Sequence, residues 1–305
     1  MREGLADLAA NNSGVFTRAQ AMAAGYTGRP IRLLVEAGLW ARLRHGILVD
    51  AEQLALADDQ ARAVLDVAAA RLTVSMPTVG SDRSAASAHG LPLLSGGRSV
   101  FLIGSRSVRR GTSKLPVLVR RAALPEDHCT ALNGVPLTTV ARTVSDLSVA
   151  VAKPDAVVAI DAALHRGLVT VEELAAVAAQ VGTLPSLMQV LPECDGRSES
   201  PLESISRLRL LDQGIALPEL QHEVRGPDGR LLGRVDFWWH LSRVAGEADG
   251  LQKYDSPNTL RDEKLRQESL EQAGVRVVRW TWAQITEAPW EVAARLRSAF
   301  AASER

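Results

Sequence analysis

Apolar residues recur every three positions at Leu202, Ile205, Leu208 and Leu211 in SPLESISRLRLLDQG, which predicts a helix with one buried face that Gly214 ends. Leu220 to Val224 and Leu231 to His240 flank Gly226-Pro227-Asp228-Gly229, a turn sequence suited to a hairpin. A third run starts at Ser242 and ends at Asp249-Gly250. Ser256-Pro257 then leads into a charged amphipathic stretch carrying Leu260, Leu265 and Leu270, which Gly274 stops. Val275 to Thr281 reads as a buried strand. The predicted order is helix, three strands, helix, strand.

The N-terminus carries a different rhythm. Leu5, Leu8 and Ala9 predict a short first helix, and Thr17 is the N-cap of a second that runs to Gly25. Thr27 opens a third helix, with Pro30 in its first turn and Gly38 at its end. Trp40 to Val49 reads as a two-stranded wing with His45-Gly46 at the tip. Helix, turn, helix and wing at these lengths predict a DNA reader, whose second helix in the pair enters the major groove. Thr27, Arg29 and Arg32 on that helix, and Arg42 and Arg44 on the wing, are the candidate contacts to phosphates and base edges.

Between these ends the pattern is mixed. Residues 51–75 predict a helical connector, and Ser84 to Pro92 a helix ending at Gly90. Val100 to Ile103 and Leu115 to Val119 predict strands, and Ala156 to Arg166 and Val171 to Val181 further helices. Arg106, Arg109 and Arg110, with Lys114, Arg120 and Arg121, form the densest basic stretch, suited to tracking a phosphate backbone or to guarding a sheet edge. Arg142 and Asp146, four apart, are expected to form a structural ion pair, and Asp161 a paired contact between helices. Pro185, Pro192, Asp195-Gly196 and Ser198 to Ser200 mark 184–199 as a linker.

Composition narrows the classes. The chain has 305 residues, 35 Lys plus Arg and 35 Asp plus Glu, so binding to nucleic acid must come from local basic patches. Its two cysteines match no zinc spacing, and the six histidines show no paired metal spacing, with His89, His128 and His165 read as structural. No apolar run is long enough to span a membrane. The first fourteen residues, MREGLADLAANNSG, lack an apolar secretory core, so a cytoplasmic location is expected. Phosphate-loop, nucleophile-elbow and dinucleotide fingerprints are absent.

Chemistry concentrates near the C-terminus. Glu247 and Asp249 share a strand face, and pairing of the second and third strands brings them towards Asp236, with Glu203 overhead on the helix. Converging carboxylates call for a divalent cation, and hard oxygen donors with an incomplete shell suit Mg2+ or Mn2+.

Ser200-Pro201-Leu202-Glu203-Ser204 with Arg207, Val235-Asp236-Phe237, Glu247-Ala248-Asp249-Gly250 with Lys253-Tyr254, and Val277-Val278-Arg279 follow one another as in a known group. This last third of the chain resembles the Vsr-like branch of the PD-(D/E)XK nuclease superfamily, the DUF559 endonuclease-like domains. The resemblance implies that Asp236 and Glu247 hold the metal and that Glu203 assists. Asp249 stands where the superfamily's fullest motif has lysine, and Lys253 or Gln221 is the candidate for that lysine's part. GVFTRAQAMAAGYTGRPIRLLVEAGLWARLRHGILV resembles the N-terminal domain of AbiEi-type antitoxins, autorepressors of type IV toxin–antitoxin operons. The segments around Asn133 to Thr139, Ala141 to Leu147 and Asp161 to Gly167 resemble the middle portion of such proteins.

The expected architecture is α/β (α+β overall). It comprises a winged helix-turn-helix over 1–50, a mixed α/β middle domain over 51–183, the linker, and a restriction-endonuclease-like αβββαβ domain over 200–305. The expected function is a Mg2+-dependent DNA endonuclease acting on duplex, damaged, mismatched or branched DNA. A repressor or antitoxin whose nuclease-like domain no longer cuts is the alternative. A toxin partner and a homodimer are the further partner expectations.

Overall fold

The structure, a computed structural model, describes residues 2–110, 116–249 and 257–303. Lys114, Lys253 and Tyr254 lie outside the described residues. The chain divides into two compact units, residues 1–159 with 167–192, and residues 160–166 with 193–305.

The first unit begins with α1 (Glu3–Ala10), β1 (Phe16–Thr17), α2 (Arg18–Ala23), α3 (Gly28–Glu36), β2 (Trp40–Arg44) and β3 (Ile47–Asp50). Thr17 caps α2 as expected. Its hydroxyl accepts from the Gln20 N–H at 3.0 Å, and the Gln20 side chain accepts from the Thr17 N–H at 2.7 Å. The wing has three strands where two were expected, in the order β1-β3-β2, because Phe16 and Thr17 pair with Leu48 and Ile47. Leu5, Phe16, Ile31, Trp40 and Leu48 form a small core, with the Phe16 and Trp40 rings edge to face at 4.8 Å. Each such side chain contributes roughly 1.5–3 kcal/mol by burial.

There follow α4 (Ala51–Leu56), α5 (Asp59–Arg71), β4 (Thr78–Gly80), α6 (Asp82–Ala88), β5 (Val100–Gly104), β6 (Val108–Arg110), β7 (Val117–Arg121), β8 (Cys129–Leu132), β9 (Val135–Thr138) and α7 (Val140–Ala150). The strands make a six-stranded sheet, β6-β7-β5-β4-β9-β8. Residue 50 is not a gap in packing. Val15, Ile47 and Val49 share one core with Val64, Leu65 and Val67 of α5 and with Leu102, Val117 and Leu137 of the sheet. The residues expected as a separate 1–50 domain and the 51–183 region lie in the same unit.

Three more helices are α8 (Lys153–His165), α9 (Val171–Val181) and α10 (Leu184–Val190). Helix α10 occupies much of the expected linker, and Leu187 and Val190 are buried. Pro185 does not break it, since in a first turn its missing N–H has no intrahelical partner to lose.

The second unit holds α11 (Pro201–Asp212), β10 (Glu219–Arg225), β11 (Leu231–Trp239), β12 (Val244–Ala248), α12 (Pro257–Gln272), β13 (Arg276–Trp280), α13 (Trp282–Glu287) and α14 (Pro289–Ser303). The predicted order of helix, three strands, helix and strand is present, with α13 and α14 added. The sheet runs β10-β11-β12-β13, antiparallel at its first two junctions and parallel at the last. Gly246 is required where it stands: a Cβ there would lie 2.5 Å from the Trp280 ring. The Trp280 indole N–H in turn donates to Ser206 on α11 at 2.8 Å. Among the described residues no helix is long and apolar enough to cross a membrane.

Candidate functional site

Helix α3 and the wing enclose a concavity of about 660 Å³ lined by Arg18, Arg29, Arg32, Arg42 and His45, with Glu36 as its one acid. Thr27, at the N-cap of α3, makes no side-chain cap bond and is exposed. Arg29 and Arg42 are exposed too, and Arg32 makes a solvent-exposed pair with Glu36 at 3.6 Å. A pair so exposed binds weakly and yields readily to a phosphate. The sequence reading missed Arg18, whose guanidinium lies 3.0 Å from where a Cβ on Gly28, at the start of α3, would stand. Its place becomes visible only once β1 joins the wing.

Arg44 is a correction. It was expected on the DNA-facing wing, yet it is buried. Burial lowers its pKa, and the Asp66 carboxylate on α5 works in the opposite direction. The cause is a register shift between Arg42 and Arg44 in the β2–β3 ladder. The extra residue turns Arg44 away from the face that Arg42 occupies.

In the middle region Arg106 and Arg109 are exposed, and Arg109 and Arg110 belong to β6, the edge strand of the six-stranded sheet. Arg120 is turned to Asp146 at 2.5 Å. Asp146 also accepts from Arg142 at 3.0 Å, which is the ion pair expected four residues apart. Nearby Asp82, in the left-handed backbone region at φ 53°, is buried, and burial raises its pKa from 3.8. His89 contacts the Thr138 carbonyl, His128 contacts Gln180 and Arg142, and His165 the Gly196 carbonyl.

The C-terminal carboxylates are placed on adjoining elements, and Glu203, Asp236 and Glu247 are already engaged. The β11–β12 ladder is regular to the pair Phe237–Gly246 and then forks: the Asp236 carboxylate accepts the Ala248 N–H at 2.9 Å. Glu247, buried, is clamped by Arg266 at 2.6 Å and Arg279 at 2.9 Å. Glu203, buried, accepts from the Glu199 N–H, the Ser200 hydroxyl and the Gln221 amide at 2.9, 2.8 and 2.7 Å. The structure therefore brings Gln221 to Glu203, and sets it opposite Asp236, between the pairs Leu220–Phe237 and His222–Val235. Asp249 follows β12 and is half-buried.

In this arrangement the acids are held by donors of the chain itself. Two guanidiniums already balance the charge of Glu247, and the oxygens of Glu203 are filled by donors, so a divalent ion would have to displace them. Among the described residues, the group whose ligand atoms lie within 4.8 Å of one another is Glu219, His222 and His240. The β10–β11 hairpin brings together positions that their spacing in the sequence keeps apart.

Arg207, four residues after Glu203 on α11, donates to Asp161 at 2.5 Å, Ser198 at 3.1 Å and the Glu193 carbonyl at 2.9 Å, with both Arg207 and Asp161 buried. Burial raises the Asp161 pKa from 3.8, against the pull of Arg207.

Residues 4–49 match the family described as "Transcriptional regulator, AbiEi antitoxin". That segment is the winged helix with its arginine-lined concavity. The chain is also 34% identical over 147 residues to two proteins of Mycobacterium tuberculosis, one from strain CDC 1551 / Oshkosh and one from strain ATCC 25618 / H37Rv, both described as uncharacterized. The match covers 47% of this chain and 54% of each relative, so the chain spans about half the length of the curated relatives it matches.

Proposed function

We propose that this protein is a DNA-binding transcriptional regulator of the antitoxin type that grips duplex DNA in the concavity between α3 and the wing. One observation carries this reading: Arg18, Arg29, Arg32 and Arg42 converge on one concave face with a single acid among them. The formal net charge is zero, so this local cluster supplies the attraction for a polyanion. Thr27 and Arg29, at the exposed start of α3, are the residues offered to base edges, while Arg18 and Arg42 are offered to phosphates. Autorepression, a toxin partner and a homodimer matching a two-part operator belong to this proposal. The test is a duplex-binding titration across several salt concentrations, using DNA from upstream of the protein's own gene beside unrelated duplex. Affinity that falls steeply with salt and is lost in Arg29→Ala/Arg42→Ala supports it. Equal binding by that variant would overturn it.

A metal-dependent DNA endonuclease is the second reading. The fork between β11 and β12, with Asp236 and Glu247 on the two prongs, favours it. It requires Arg266 and Arg279 to release Glu247 before Mg2+ or Mn2+ could be held. Cleavage of plasmid, linear, mismatched or branched DNA with either ion, abolished by Asp236→Ala, would establish it. Absence of cutting on all substrates leaves the regulator.

A further inference from the structure

We infer that Glu219, His222 and His240 form a binding site for one divalent transition-metal ion of the zinc class at the end of the β10–β11 hairpin. The backbone prepares it. In a regular strand, residues three apart face opposite sides, so Glu219 and His222 would diverge. Gln221 between them adopts φ 55°, a left-handed conformation that strains a non-glycine residue. This breaks the alternation and turns His222 to the side of Glu219. His240, just past the end of β11, arrives from the partner strand.

The two imidazoles then share one carboxylate. His222 Nδ1 lies 3.2 Å from Glu219 Oε1, and His240 Nε2 contacts Glu219 Oε2. Their ligand atoms lie within 4.8 Å of one another, and closing to the roughly 3.4 Å of a tetrahedral shell at zinc–ligand distances takes only small side-chain rotations. Two imidazoles and one carboxylate are the donor set of zinc-class ions with an open position, and the exposure of His240 leaves room for water there. Trp238 supports both rings. His222 stacks on its indole at 5.1 Å with 3° between planes, and the indole N–H donates to His240 Nδ1 at 3.0 Å. The stacking holds the His222 ring in place, and the indole bond sets His240 in its metal-free state.

The indole bond also fixes the proton balance. His240 accepts at Nδ1, so neutral His240 carries its proton on Nε2, facing Glu219. Ligation through Nε2 must move that proton: Nε2 releases it to solvent, Nδ1 takes one up, and the new Nδ1–H then faces the indole N–H, so the Trp238 bond breaks. Trp238 should therefore report the event.

The experiment takes the full chain, stripped with chelator and titrated with Zn2+ by calorimetry and with Co2+ by visible absorption, while tryptophan emission is followed. One equivalent is expected, with cobalt d–d bands, and an emission change that is lost in Trp238→Phe while binding persists. His240→Ala and Glu219→Gln should each weaken binding by more than about tenfold, the scale at which even outer partners act. His240 is exposed, so its variant should fold; far-ultraviolet circular dichroism and unchanged duplex binding confirm this. No saturable binding, or binding that both variants leave intact, would overturn the inference. The site is independent of the DNA reading, because the titration contains no nucleic acid.

Discussion

The winged-helix concavity and the carboxylate fork are both rich in charge, and they use it in opposite ways. Around α3 the arginines outnumber the acids four to one and stand in solvent, with Arg32–Glu36 as a loose pair. At the fork, Glu247 has two arginines, Glu203 three donors and Asp236 a backbone N–H. Charge left unbalanced on a surface attracts a partner, whereas charge balanced in the interior holds elements together. An arginine's place in the fold, more than its presence, decides which of the two it does.

Substitutions can break or sharpen that contrast. Arg207→Ala, which leaves Asp161 buried and without its cation, should lower stability by about 3–5 kcal/mol in a denaturant titration. Glu247→Gln should lower it by roughly 1.5–3 kcal/mol, since two arginines lose their charged acceptor, with duplex binding unchanged. Arg42 and Arg44, two residues apart, should part company. Arg42→Ala should reduce the slope of log affinity against log salt by about 1 and leave stability within about 0.5 kcal/mol. Arg44→Ala should keep the slope and lower stability by about 1–3 kcal/mol.

The smallest effect concerns Asp82. Its folded pKa is raised above 3.8 by burial, so between 3.8 and the raised value the folded chain holds more protons than the unfolded one. Stability contributed by this group therefore falls as pH rises through that window. Asp82→Asn, which suits the left-handed backbone, should flatten that part of a stability–pH profile.

What the sequence made legible was local. The N-cap Thr17, the turn at 226–229 and the periodicity from Leu202 to Leu208 each announce an element within a few residues, although Leu211, expected on the same buried face, is exposed and Leu210 is buried in its place. Ser200 and Glu203 also carry a capping spacing, and Glu203 does bond Ser200, a structural use beside its reading as a metal ligand. What stayed hidden depended on contacts distant in sequence or on one backbone angle. Asp161 and Arg207 are 46 residues apart. The burial of Arg44 follows from one extra residue in a ladder, and the convergence of His222 and His240 from the twist at Gln221. Hydrophobic pattern encodes none of these.

The core shared by Val15, Ile47, Val49 and α5 bears on how the DNA reader comes into being. A fragment ending at residue 50 would carry three bare aliphatic side chains where α5 belongs, and should precipitate or oligomerise when expressed alone. In native-state hydrogen exchange, the amides of β3 and α5 should open together, as one cooperative foldon. A nascent chain leaving the ribosome would thus complete the arginine-lined concavity only after α5 and the middle sheet have emerged, late in the synthesis of the first unit.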